Sequence, residues 1–139
     1  MLNTSSHPTS ILIVEDEIFV ALDIERVLSD CGYEVGGIAM DRDEALRLAE
    51  GCTLALVDIN LRDGRTGPQI AAELYDSHAI RSVFVTANPA QIGTPPMGAL
   101  GYVCKPFDGN MLRSAIEWAL ADGHSAPDND AVVPLQRTL

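Results

Sequence analysis

Three carboxylates, a hydroxyl and an ammonium stand where apolar runs end: Glu15 and Asp16 after Ile11–Val14, Asp58 after Leu54–Val57, Thr86 after Val83–Val85, and Lys105 after Tyr102–Cys104. In an open parallel sheet ligands bind outside the carboxyl ends of the strands, so residues in these places would share one crevice. Glu15, Asp16 and Asp58 crowded together repel one another and resist joint ionisation unless a hard divalent cation neutralises them. Mg²⁺ suits such a site because it takes a couple of carboxylates together with water and phosphate oxygens. A carboxylate beside that ion can attack a phosphoryl group to form an aspartyl phosphate, while a hydroxyl and an ammonium hold the transferred oxygens. Asp58, flanked by Leu56, Val57 and Ile59, is the best candidate for the nucleophile, with Thr86 and Lys105 as the oxygen contacts.

Each residue has a plainer reading when taken singly. Asp16 could open a helix, Thr86 could fill a strand, and Lys105 could be a surface lysine. Their coincidence at four strand ends favours chemistry. Lys105-Pro106-Phe107, directly after a strand, adds a rigid turn behind the ammonium, and Pro106 can take a cis bond that fixes where Lys105 points.

The elements that must position these groups alternate along the chain. After Ile11–Val14, a helix from about Glu17 to Cys31 places Val20, Ile24, Val27, Leu28 and Cys31 on one face, and Gly32 closes it. A second strand follows near Tyr33–Ile38; Asp41 with Glu44 reads as a helix start, with Ala45, Leu46 and Ala49 as its apolar stripe up to Gly51. Strand three is Thr53–Val57, and the loop Asn60–Gly67 leads to a helix opened by Pro68 and carrying Ile70, Ala71 and Leu74. Strand four lies at Ser82–Val85, strand five ends at Cys104, and a last helix spans about Asn110–Ala121. This alternation predicts a parallel sheet covered by helices on both faces. Between strands four and five, Pro89–Gly98 holds three prolines and two glycines, so the fourth helix is expected to be short, late or mobile.

Composition bounds the function. A chain of 139 residues, 47% of them hydrophobic, buries one sizeable core and leaves no room for a second module of ordinary size. A net charge of −11 opposes direct binding to nucleic acid or anionic lipid. Cys31, Cys52 and Cys104 form no CxxC and imply a reducing compartment. No apolar stretch approaches the ~20 residues that span a bilayer, and the expectation is a soluble, cytoplasmic protein with no membrane partner.

The segments Ile11-Leu12-Ile13-Val14-Glu15-Asp16-Glu17, Val57-Asp58-Ile59-Asn60-Leu61, Val85-Thr86-Ala87 and Lys105-Pro106-Phe107 resemble, in order and spacing, the receiver domain of two-component response regulators, over roughly Ser10 to Ala121. The resemblance implies a flavodoxin-like α/β fold with strand order 2-1-3-4-5. It implies Asp58 as phosphoacceptor, Asp16 as a direct Mg²⁺ ligand, Glu15 acting through water, and the backbone carbonyl of Asn60 as a further ligand. Thr86 and Lys105 would contact the phosphoryl group, and Tyr102 matches the family's switch aromatic; its plainer reading is a half-buried strand tyrosine. The domain reading is a flexible start at 1–9, a receiver at 10–121 and a mostly disordered tail at 122–139. Two departures stand out. Arg62 occupies the place of a common proline, which suggests a more mobile loop, and Phe84-Val85-Thr86-Ala87-Asn88 is similar at its first and third positions to the Phe-Ala-Thr-Gly-Tyr stretch of an alphaproteobacterial receiver subgroup.

The resulting expectation is a single-domain response regulator. A histidine kinase would phosphorylate it, and a downstream protein would read the face of the fourth helix, fifth strand and fifth helix. It would catalyse only its own phosphorylation and dephosphorylation. The competing class is a small phosphohydrolase or phosphotransferase working through an aspartyl phosphate, which the missing Asp-x-Asp-x-Thr signature opposes. A purely structural adaptor is opposed by the intact constellation.

Overall fold

Strands buried on both faces read as apolar runs, and three here carry one: Ile11–Val14 within β1 (Ser10–Val14), all of β3 (Leu54–Val57), and Val83–Val85 within β4 (Arg81–Thr86). The computed structural model describes residues 8–135; residues 1–7 and 136–139, which include most of the expected flexible start, lie outside the described residues. With β2 (Glu34–Ala39) and β5 (Ala99–Cys104), these strands form a parallel sheet in the expected order β2-β1-β3-β4-β5.

Alternation across the sheet divides the core. Ile11, Ile13, Leu56, Val83, Val85 and Val103 point to one face, where α1 (Ile18–Asp30) and α4 (Gly109–Ala121) cover them. Leu12, Val14, Val57 and Phe84 point to the other, beneath α2 (Arg42–Leu48) and α3 (Gly67–His78). Local signals set the helix starts: Asp41 accepts a hydrogen bond from Glu44 N–H (3.0 Å), and Asp108 accepts one from Met111 N–H (2.8 Å). The connection from β4 to β5 contains only a 3₁₀ turn, Pro89–Ile92, so the fourth helix is short, as its prolines predict. The element read from sequence as the fifth helix is therefore α4.

The tail departs from the sequence reading. Of the stretch expected to be mostly disordered, residues 133–134 form β6, antiparallel to β5, with Gly101 opposite Pro134 and Tyr102 opposite Val133. Val132, only 2% exposed, joins the core beside α4. Its burial comes from a non-local groove, which the polar composition around it does not report. The three cysteines are unpaired. Among the described residues no helix is long and apolar enough to cross a membrane.

Candidate functional site

Register carries the polar strand ends to one edge. Val14 lies beside Val57, Val57 beside Phe84, and Thr86 beside Cys104, so Glu15, Asp58, Thr86 and Lys105 emerge together at the carboxyl margin of the sheet. Lys105 Nζ stands 2.8 Å from Glu15 Oε1 and 2.9 Å from Asp58 Oδ2. The Lys105–Pro106 bond is cis. Asp58 Oδ1 accepts a hydrogen bond from Ile59 N–H (2.7 Å), Glu15 Oε2 accepts one from Glu17 N–H (3.1 Å), and Thr86 Oγ1 accepts one from Asn88 N–H (3.0 Å).

The electrostatics follow from burial. Glu15 is 1% exposed; burial lifts its carboxyl to about 7, with the contact to Lys105 opposing the rise and the charge of Asp58 adding to it. Burial also works against the Lys105 ammonium, yet its close contacts with the Glu15 and Asp58 carboxylates, and their charges, outweigh it and raise its pKa. Lys105 pairs with Glu15 Oε1 as an ion pair, and among the described residues this buried oxygen has no hydrogen-bond donor.

One oxygen from each of Glu15, Asp16 and Asp58 lies within 4.8 Å of the others. A buried carboxylate oxygen with no hydrogen bond among the described residues, inside an all-oxygen cluster, fits a hard divalent cation and the water it carries. The structure thus brings together Glu15, Asp16, Asp58 and Lys105, with Thr86, 1% exposed, ending the neighbouring strand. Asn60 is nearby in sequence, and its side-chain amide donates to Gln91 Oε1 at 2.7 Å, tying the β3–α3 loop to the 3₁₀ turn. Tyr102 is half-buried on the same sheet face as Phe84, its neighbour on β4.

Two residues escaped the sequence reading. Glu17 Oε2 lies 3.4 Å from Lys105 Nζ, and its only sequence signal was a third acid in the Glu15-Asp16-Glu17 run. Gly67 matters for its missing side chain, because a Cβ there would overlap the Asp58 carbonyl oxygen. The loop departure also differs from expectation. Arg62 Nη2 pairs with Asp41 Oδ2 (2.6 Å), Asp63 accepts from Thr66 Oγ1 (2.6 Å) and Arg42 N–H (3.1 Å), and Leu61 and Gly64 exchange backbone bonds of 2.8 and 2.9 Å. These ties oppose the mobility that the absent proline suggested.

A five-stranded parallel sheet wound in this order, with carboxylates, threonine and lysine at its carboxyl margin, defines a receiver-type signalling domain. Residues 11–117 match the response regulator receiver domain, and the chain belongs to that family. It is 34% identical over 128 residues to the phyllosphere-induced regulator PhyR of Methylorubrum extorquens, covering 88% of this chain and 48% of that protein. It is 33% identical over 119 residues to the transcriptional regulatory protein PdtaR of Mycobacterium tuberculosis, covering 82% of this chain and 58% of that one. The chain thus spans about half the length of the curated relatives it matches. Among solved structures, the receiver domain of Erythrobacter litoralis PhyR superposes with a TM-score of 0.75 at 27% identity, covering 88% of this chain and 97% of that one. The anti-anti-sigma factor PhyR from Bartonella quintana gives 0.70 at 31% identity, over 84% of this chain and 49% of that one.

Proposed function

We propose that this chain accepts a phosphoryl group from a histidine kinase on Asp58, in a Mg²⁺-dependent reaction, and signals through protein contacts that depend on that modification. The observation that carries the reading is the Lys105 ammonium bridging Glu15 (2.8 Å) and Asp58 (2.9 Å) beside three carboxylates gathered within 4.8 Å. Asp16 and Asp58 would hold the cation, with Glu15 acting through water and the Asn60 carbonyl completing the set. Bound there, Mg²⁺ neutralises the carboxylates and the charge on the phosphoryl oxygens.

The chain's own residues do the rest. An Asp58 carboxylate oxygen attacks phosphorus as the phosphorus–nitrogen bond of the donor phosphohistidine breaks. The bonding pair stays on the imidazole nitrogen, and an acyl phosphate forms. Lys105, already charged and hydrogen-bonded to Asp58, holds one phosphoryl oxygen. Thr86 Oγ1 accepts from Asn88 N–H and so keeps its own proton to offer another oxygen. Tyr102, beside Phe84 on the next strand, would carry the change toward the face of the 3₁₀ turn, β5 and α4.

Output by protein contact is supported by the net charge of −11, which opposes a nucleic-acid target, and by the name anti-anti-sigma factor that one structural relative carries. A small-molecule phosphohydrolase is less well supported: a cavity of about 780 Å³ lies at the amino ends of β4 and β5, between Arg81, Gly98 and Leu135, far from the carboxylates. Intact-mass measurement tests the proposal. The chain should gain one phosphoryl group from acetyl phosphate or a cognate kinase with Mg²⁺, and Asp58→Asn should gain none; labelling that survives Asp58→Asn or excess chelator overturns it.

A further inference from the structure

We propose that the outer edge of β5 is a strand-accepting docking site which residues Val132–Leu135 hold closed, and that its partner is an extended segment presenting one β-branched apolar side chain to Gly101 and Trp118. This goes beyond the phosphoacceptor reading, because it stands on the geometry of β5 and β6 whether or not Asp58 is modified.

The acceptor is built into β5. Glycine weakens a strand interior and marks places where another backbone comes close. At Gly101 a Cβ would lie 2.7 Å from Val133 O, 3.1 Å from Trp118 and 3.1 Å from Val132. The strand gives up a side chain at the point where the tail crosses it. Val132 fills the resulting groove at 2% exposure, and Leu135 N–H donates to Leu100 O at 2.9 Å. Every residue of β5, from Ala99 to Cys104, is uncharged, so its edge carries nothing that repels an incoming strand. Strand addition draws on these same terms: main-chain hydrogen bonds for affinity and a side-chain groove for selection.

The present occupant is lightly held. Only two of its residues pair with β5, and Val133 is 41% exposed. The chain leading to it is anchored separately. Asp122 accepts hydrogen bonds from His124 N–H (2.8 Å), Ser125 N–H (3.1 Å) and Ser125 Oγ (2.8 Å), and Trp118 Nε1–H donates to Ser125 O at 2.7 Å. Residues 131–135 can therefore lift away while α4 and the turn after it stay in place, the pattern of a weak local unit next to a stable one. A competing extended segment needs to match one buried valine and a short run of backbone bonds.

Trp118, the chain's one tryptophan, lies under Val132 and reports the strap directly. In the full chain, Val132→Asp should raise acrylamide quenching of Trp118 several-fold. Leu135→Pro, which deletes the N–H bonded to Leu100 O at a position only partly buried, should do the same and serves where Val132→Asp does not fold. A synthetic peptide of residues 128–137 added in trans should restore protection in these variants. The same peptide with Val132→Asp should not, and wild-type chain should bind the native peptide at least about tenfold more weakly, because only its open fraction is competent. Unchanged quenching in a folded variant, failure of the native peptide to protect an exposed Trp118, or equal affinity for wild type each overturns the proposal. So does a concentration-dependent dimer in which the tail pairs with a second copy.

Discussion

Lys105 Nζ donates to Asp58 Oδ2 at 2.9 Å, joining the ends of β3 and β5 across the intervening β4. The bond spans the sheet at its carboxyl margin. It also makes one ammonium the shared counter-charge of Glu15 and Asp58, since Glu15 Oε1 is 2.8 Å from the same nitrogen. A single lysine thus faces both buried carboxylates.

Removing that lysine should expose the imbalance. Lys105→Ala leaves Glu15 and Asp58 facing each other with little solvent, and loss of a charged hydrogen-bond partner costs about 1–3 kcal/mol. Urea unfolding without divalent cation should show that loss, and Mg²⁺ should raise the stability of the variant more than that of wild type. Equal Mg²⁺ responses would contradict the shared counter-charge.

Gly67→Ala sets two effects against each other. Alanine favours the helix by up to about 1 kcal/mol, whereas its Cβ meets the Asp58 carbonyl, which no rotamer change can move, at a cost of about 1–3 kcal/mol. The clash should win. Chemical denaturation should show net destabilisation, and labelling of Asp58 by acetyl phosphate should slow. A variant as stable and as quickly labelled as wild type would rule the clash out.

Ser82 Oγ is fully buried and has no hydrogen-bond partner among the described residues. Ser82→Ala removes an unpaired polar atom with almost no change of volume and should stabilise the chain by about 1 kcal/mol. The melting temperature should rise by roughly 2–6 °C with phosphorylation unaltered. A fall in melting temperature would mean that the hydroxyl is satisfied.

Asp122 provides a pH signature. Hydrogen bonds from His124 N–H, then from Ser125 N–H and its hydroxyl, lower its carboxyl from 3.8 to about 2. A depressed folded-state value contributes stability that is present above 3.8 and lost as the pH falls through about 2. Wild type should therefore exceed Asp122→Ala in stability at pH 5, with the gap closing near pH 2. Trp118 emission follows the change, because its indole N–H is bonded to Ser125 O. A gap independent of pH would show that the carboxylate plays no part.

Much of the fold and the site could be read from the chain because both announce themselves locally. Ile11–Val14 and Leu54–Val57 are strands buried on both faces, and the polar residue that ends each is also the one at the crevice. The prolines of 89–98 forecast the short fourth helix for the same reason. Glu17 was overlooked because an acid at a helix start has an ordinary explanation, and its proximity to Lys105 depends on a residue 88 positions away. Gly67 and Val132 owe their roles to backbones brought close by the completed sheet, and no property of the neighbouring residues signals that.

The two margins of the sheet bear on self-association. At one side β2 presents exposed Glu34, and its pairing with β1 shifts register beside Gly36 and Gly37; at the other, Pro134 leaves β6 a donor short on its outward side. Both ends are poor templates for another molecule of the same kind. If β6 were removed, the outermost strand would become Ala99–Cys104, six uncharged residues in extended form, the kind of segment that seeds intermolecular stacking. Val133 and Pro134 therefore make a small but disproportionate contribution to keeping concentrated copies of this protein apart.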